Sequence, residues 1–176
     1  LKGRTLGIIG YGKIGQLMAR YALAVEMEVL VWGREGTRQR AIEAGLAVAA
    51  SQAEFFARSD VLSLHLRLNE ETRGIVTAED LARMKPTALL VNTARSQLIA
   101  PGALEAALRE GRPGMAAADV YDEEPVVRHP LLELPNFLGV PHLGYVEKDS
   151  YELYFGDAFD NLLAFAAGEP VRNLAE

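Results

Sequence analysis

Cysteine is absent from the 176 residues, and with it go disulfides, thiol catalysis and cysteine-ligated metals. No apolar run approaches the ~20 residues that a membrane span requires. The N-terminus has no signal-peptide pattern, so the default expectation is a cytoplasmic location. An excess of positive charge is lacking too: 18 Lys and Arg stand against 24 Asp and Glu, for a net charge of −6. That balance argues against a nucleic-acid or anionic-membrane surface as the main business. Internal repeats, linkers and low-complexity stretches are not found. The chain opens at Leu1 rather than at a methionine, with a strand pattern beginning almost at once, so it reads as a piece of a longer protein. What remains is ordinary: 49% hydrophobic and 24% charged residues, in a length that suits one domain over residues 1–176.

Within that composition one stretch organises the rest. The apolar run Leu6–Ile9 ends in Gly10-Tyr11-Gly12-Lys13-Ile14-Gly15, and a helix-favouring segment, 16–26, follows. Strand, Gly-x-Gly-x-x-Gly turn and helix in that order predict a dinucleotide site. Gly10 permits the tight turn, Gly12 lets backbone approach a pyrophosphate, and Gly15 lets the helix pack on the strand. The helix N-terminus adds free N–H groups and partial positive charge. Further strands are predicted over 27–32, 46–50, 60–66, 88–92, 115–120 and 137–140. Helices are predicted from a cap at Thr37 to Ala44, after a capping box at Ser51–Glu54, after a cap at Thr77, and over 101–110 and 147–167. The last carries Tyr151, Tyr154, Phe155, Phe159, Leu162 and Phe165 as one apolar stripe. Near-continuous apolar strands alternating with helices predict an α/β fold, a doubly wound parallel sheet of six to seven strands with helices on both faces.

Ligands of such sheets sit outside the carboxyl ends of the strands. There the fifth strand delivers Asn92-Thr93-Ala94-Arg95, the sixth Asp119 through Pro125, and the seventh Pro141-His142-Leu143-Gly144. Singly these have plain readings: Arg95 as a capping or ion-pair arginine, Glu124 as part of a solvated acidic run, His142 as satisfying a loop carbonyl. His65 and His129 are expected to be structural and surface residues respectively.

Together the four motifs, Gly-Tyr-Gly-Lys-Ile-Gly, Val-Asn-Thr-Ala-Arg, Asp-Val-Tyr-Asp-Glu-Glu-Pro and Pro-His-Leu-Gly, resemble the nucleotide-binding domain of the D-isomer-specific 2-hydroxyacid dehydrogenases. The resemblance runs nearly from Leu1 to Asn173 and implies a Rossmann-type fold. It implies Arg95 as the substrate-carboxylate arginine, His142 as the acid/base and Glu124 as the carboxylate that holds it. Asp119 falls where the family contacts the nicotinamide carboxamide, and Lys13, Ile14, Leu66, Thr93 and Gly144 fall along the cofactor. No metal is implied. Histidine suits proton transfer because its unperturbed pKa lies near neutrality. Arginine offers a planar fork matched to a carboxylate.

The sequence departs from the family at Ser96 (usually glycine), over Gln97–Ala100 (an acidic residue is missing), at Arg67 (commonly proline) and at Glu147 (commonly threonine). Whole enzymes of the family add a substrate-side domain built mainly from a preceding segment, which is largely absent here. Their nucleotide domains dimerise, so a homodimer is expected. The alternative is a non-catalytic NAD(P)-sensing module, since relatives serve as transcriptional corepressors. NAD-specific members carry an acidic residue where Gly33 stands. With Arg34 next and Arg38 a turn later, the expected cofactor, NAD or NADP, is NADP.

Overall fold

Seven strands form one fully parallel sheet in the computed structural model, which describes residues 1–169. They are β1 (Thr5–Ile9), β2 (Glu28–Trp32), β3 (Ala47–Val48), β4 (Val61–Leu64), β5 (Leu89–Asn92), β6 (Met115–Ala118) and β7 (Phe137–Gly139), in the spatial order β3-β2-β1-β4-β5-β6-β7. The chain winds one way from β1 to β3, then returns to lay β4 on the other side of β1. A crevice therefore opens between the ends of β1 and β4, the switch point at which such sheets bind ligands.

Alternation along each strand sorts the core into two layers. Leu6, Ile8, Val29 and Val31 meet Ala19 and Ala22 of α1 (Lys13–Ala24) and Ala41 of α2 (Glu35–Glu43). Ile9, Leu30, Leu62, Leu64 and Leu90 meet Phe55 and Phe56 of α3 (Gln52–Arg58), Leu81 of α4 (Ala78–Arg83) and Leu104 of α5 (Ala103–Arg109). Helices thus cover both faces, as the strand pattern predicts.

Several boundaries differ from expectation, each for a local reason. The α2 helix starts at Glu35, capped by the extended backbone of Arg34, and Thr37 lies inside it. At α3 the Ser51 hydroxyl accepts from Glu54 N, but the Glu54 carboxylate turns back to Ala50 N rather than to Ser51, so the box is displaced by one residue. Thr77 and Asp80 close a full capping box on α4. Gly102, in the left-handed region, caps α5 and delays its start to Ala103. Among the described residues, no helix is long and apolar enough to cross a membrane.

Asp60 ties the foot of the sheet together. Its carboxylate accepts from Thr5 N at 2.9 Å and Lys85 Nζ at 2.9 Å, with Arg4 at 3.4 Å. Burial pushes this carboxyl up, yet the Thr5 N–H and Lys85 outweigh it and hold its pKa below the usual value. A depressed carboxylate stabilises the fold above its unfolded pKa of ~3.9, and that contribution is lost as pH falls through the folded value. Asp60→Ala is expected to cost about 1–3 kcal/mol by stranding the Thr5 N–H and the two cations. Urea midpoints at pH 7 and pH 3 check this: the gap between wild type and variant must narrow at the lower pH.

Two compact units divide the chain, Leu1–His142 and the segment from Leu143 onward. The second holds α6 (Lys148–Ala167), none of whose residues is buried. Glu147 caps it, its carboxylate accepting from Asp149 N at 2.9 Å and Ser150 N at 2.8 Å. A carboxylate at this position thus does the capping work of a threonine. Tyr145, Tyr151 and Phe155 stack in series, with centroids 6.1 and 5.7 Å apart. Tyr154, Phe159, Leu162 and Phe165 remain exposed.

Candidate active site and cofactor cleft

Register brings the candidate residues to one edge. Ile9 pairs with Trp32 and Leu64, Leu64 with Asn92, Asn92 with Ala118, and Ala118 with Gly139. The strands therefore end in step, and the residues that follow, Gly10, Gly33, His65, Thr93, Asp119 and Val140, emerge in a row.

The three glycines of the first turn separate physically. Gly10 has φ +93°, and a Cβ there meets the His65 carbonyl oxygen at 2.6 Å. A Cβ on Gly15 meets the Gly10 carbonyl oxygen at 2.3 Å. Both glycines are demanded by the protein's own packing. Gly12 is not: its φ of −87° is open to any residue, and a Cβ there meets nothing within 4 Å. The space beside Gly12 belongs to a cleft of ≈ 790 Å³, lined on one wall by Gly12, Lys13, Ile14 and Gly15 and on others by Leu66, Thr93 and Arg95. A glycine that the fold does not require, at a helix N-terminus facing a cleft of this size, fits a dinucleotide pyrophosphate. Gly33 and Arg34 line a second cavity of ≈ 220 Å³, with Trp32, Leu66, Thr72 and Ile75. Arg34 lies 3.0 Å from Glu71, while the Arg38 guanidinium sits 5.3 Å over the Trp32 ring and 3.8 Å from Glu35.

Arg95 stands on a loop shaped by buried Asn92, whose Nδ2 donates to Arg95 O at 2.8 Å and whose Oδ1 accepts from Ala94 N at 3.0 Å. Its Nη1 donates to Ala94 O at 2.6 Å. Ser96, where the family has glycine, donates its hydroxyl to Asp122 at 2.8 Å and ties this loop to the one after β6. In that second loop Glu124 accepts from Tyr121 N at 2.9 Å through Oε1, while Oε2 lies 2.7 Å from His142 Nδ1. The hydrogen bond from His142, then the Tyr121 N–H, hold the Glu124 carboxyl below its ordinary pKa against some burial. The Arg95 charge pulls in the same direction, so the arginine acts on this pair. His142 has φ +55°, a left-handed conformation that histidine adopts more readily than most residues. Such a backbone costs of order 1–3 kcal/mol and collects at functional sites.

The other candidates fall as follows. Asp119 is buried directly after β6, its N–H donating to Asn92 O at 3.1 Å. Gly144 is exposed in the C-terminal unit. His65 is half-buried, its Nε2 2.9 Å from the Ser63 hydroxyl, and burial lowers its pKa. His129 corrects the surface expectation: it is half-buried, its Nδ1 accepts from Leu131 N, and its ring meets Tyr121 at 5.6 Å. Arg67, read from sequence only as a departure, lines the large cleft. Its signal lay in the loss of proline just past a strand end. Among the described residues no group of acidic or histidine side chains is arranged to hold a metal.

Residues 1–144 match the family model of the D-isomer specific 2-hydroxyacid dehydrogenase NAD binding domain. The chain is 40% identical over 176 residues to a glyoxylate reductase of Aeropyrum pernix, covering 99% of this chain and 52% of the relative. It is 35% identical over 182 residues to a glycerate dehydrogenase of Methylorubrum extorquens, covering 100% and 54%. The crystal structure of a phosphoglycerate oxidoreductase from Vibrio cholerae O395 superposes with a TM-score of 0.90 at 55% identity, over 95% of this chain and 54% of that one. The chain thus spans about half the length of the relatives it matches. On sequence, fold and strand-end motifs alike, it belongs to the D-isomer-specific 2-hydroxyacid dehydrogenases and carries that family's NAD-binding domain.

Proposed function

We propose that the 176 residues are the cofactor half of an oxidoreductase that moves a hydride between NAD(P)H and a 2-oxo acid, or back from the D-2-hydroxy acid. The observation that carries this reading is the Glu124–His142 contact of 2.7 Å beside the Arg95 loop. When bound, the nicotinamide supplies or accepts the hydride. The chain's own residues do the rest. Arg95 grips the substrate carboxylate and polarises the carbonyl. With Nδ1–H donating to Glu124, the proton that passes to or from the substrate oxygen is carried on His142 Nε2. Glu124 fixes that tautomer and favours the imidazolium. A substrate-side domain, outside these residues, completes the cleft. The exposed apolar face of α6 supports a homodimer. The corepressor reading has no observation behind it: the relatives named above are all oxidoreductases.

The proposed cofactor is NADP. Gly33 brings no carboxylate to hold ribose hydroxyls or repel a 2′-phosphate, Arg34 lines the small cavity, and Arg38 sits over the ring of Trp32, another of its lining residues. Glu71 and Glu35 now occupy those guanidiniums, and a phosphate dianion must displace them. Glu71→Gln is therefore expected to tighten NADP binding about two- to five-fold, the scale of an exposed ion pair, and to leave NAD unchanged. Calorimetry giving tighter NAD than NADP in the wild type reverses the assignment.

For the activity itself, the full-length protein is expected to oxidise NADPH with a member of a panel of glyoxylate, pyruvate and hydroxypyruvate. The 176-residue chain is expected to bind dinucleotide in the micromolar range without turnover. Substrate positioning is worth ~7–11 kcal/mol of a barrier, and the opposite wall that provides it lies elsewhere. Trp32, which lines the small cavity, reports binding by its fluorescence. No binding, or turnover at ~1–10³ s⁻¹ by this chain alone, refutes that division of labour.

A further inference from the structure

The large cleft carries three cations, Lys13, Arg67 and Arg95, and no carboxylate among its lining residues. The chain as a whole has more acid than base, so this local excess is not inherited from composition. Lys13 begins α1, whose first turn holds no acidic residue. Arg95 belongs to the substrate end of the proposed reaction. Arg67 has no part in it yet.

Its place is well defined by backbone. Strand β4 pairs directly with β1, and His65 N donates to Ile9 O at 2.8 Å, so the segment after β4 forms the wall facing the glycine turn. Arg67 O accepts from the Thr72 hydroxyl at 2.7 Å. Thr72 is buried, and Asn69 and Thr72 exchange further bonds of 2.8 and 3.0 Å. The segment is thus pinned by its own turn, and the exposed Arg67 lines the cleft from a fixed base. No carboxylate pairs with the Arg67 guanidinium among the described residues.

We propose that Arg67 is a cofactor-binding residue that clamps the dinucleotide pyrophosphate from the β4 side, opposite Gly12. The inference rests on the dinucleotide-binding reading above. A pyrophosphate carries two negative charges, while the glycine turn offers backbone N–H groups and the single charge of Lys13. A guanidinium from the facing wall matches the remaining anionic oxygens with its fork of donors.

Fluorescence titration of the 176-residue chain with NADP and with ADP-ribose, which keeps the pyrophosphate and lacks the nicotinamide, tests this. Arg67→Ala is expected to weaken both about ten-fold and to make binding less sensitive to salt. Arg67→Lys is expected to restore part of the loss, and the exposed position leaves the urea midpoint unchanged. A wild type that binds neither compound defeats the dinucleotide reading and this proposal with it. A wild type that binds while Arg67→Ala binds equally well defeats the proposal alone. If that variant, in the full-length protein, also raises KM for the 2-oxo acid, Arg67 is a substrate cation. If KM is unmoved as well, it is a solvated arginine.

Discussion

Gly12→Ala is expected to weaken dinucleotide binding at least ten-fold while leaving the fold nearly untouched. Gly15→Ala is expected to do the reverse in order: it damages the fold first. At Gly12 the backbone conformation is ordinary and a methyl group meets nothing within 4 Å. The cost to stability is therefore confined to exchanging a glycine for an alanine at a helix N-cap, below about 1 kcal/mol. That methyl projects where a pyrophosphate must touch backbone, so the penalty falls on the ligand. At Gly15 the methyl sits 2.3 Å from the Gly10 carbonyl oxygen and 3.3 Å from Ile8. Helix α1 must then move off β1, an overpacking that typically costs about 1–3 kcal/mol, and binding suffers as a consequence. Urea unfolding and Trp32 fluorescence titration on the two variants separate the effects. Gly12→Ala binding as tightly as wild type would show that the dinucleotide does not approach this turn.

Removing the charge of Glu124 is expected to cost the full-length protein about 10²–10⁴-fold in kcat, the range that a positioned acid/base contributes. Glu124→Gln keeps the size and the bond from Tyr121 N, but the amide no longer favours the charged imidazolium of His142. Dinucleotide affinity is expected to stay unchanged, because Glu124 does not line the large cleft. A parallel loss of affinity would mean that the substitution disturbed the β6 loop rather than the proton transfer. The pH dependence follows from the direction of the Glu124 shift. The bond from His142 and the Tyr121 N–H depress its pKa below the ordinary glutamate value. The carboxylate therefore persists as pH falls through the ordinary range, and its contribution vanishes only on passing the lower, folded value. Carbon-detected NMR of the Glu124 carboxyl is expected to show a midpoint below the ordinary glutamate value; a midpoint above it contradicts the contact.

Much of this molecule was legible along the chain because the relevant signals are local. A strand, a glycine turn and a helix are contiguous between Thr5 and Ala24, and near-continuous apolar strands can only be buried from both sides. The motifs at Arg95, Glu124 and His142 are short strings whose order alone identifies the family. Pairing across the fold is not local: the family resemblance implied that Glu124 holds His142, while nothing along the chain signalled the bond between Ser96 and Asp122. Glu124 and His142 are 18 positions apart, and Ser96 and Asp122 are 26 apart; their contacts depend on the strand order and register that align Asn92, Ala118 and Gly139. Arg34 and Arg38 read as cations that the neighbouring Glu35 could partly neutralise; helical spacing does set Glu35 against Arg38, but only the fold brings Glu71, in the turn after β4, to Arg34. All three glycines of the turn look alike in one dimension. Only packing reveals that Gly10 and Gly15 answer to neighbouring carbonyls while a Cβ on Gly12 meets only open space, because a Cβ clash is a property of what lies opposite in space. The same holds for Arg67: sequence marked a missing proline, and the pairing of β4 with β1 turned that position toward the glycine turn.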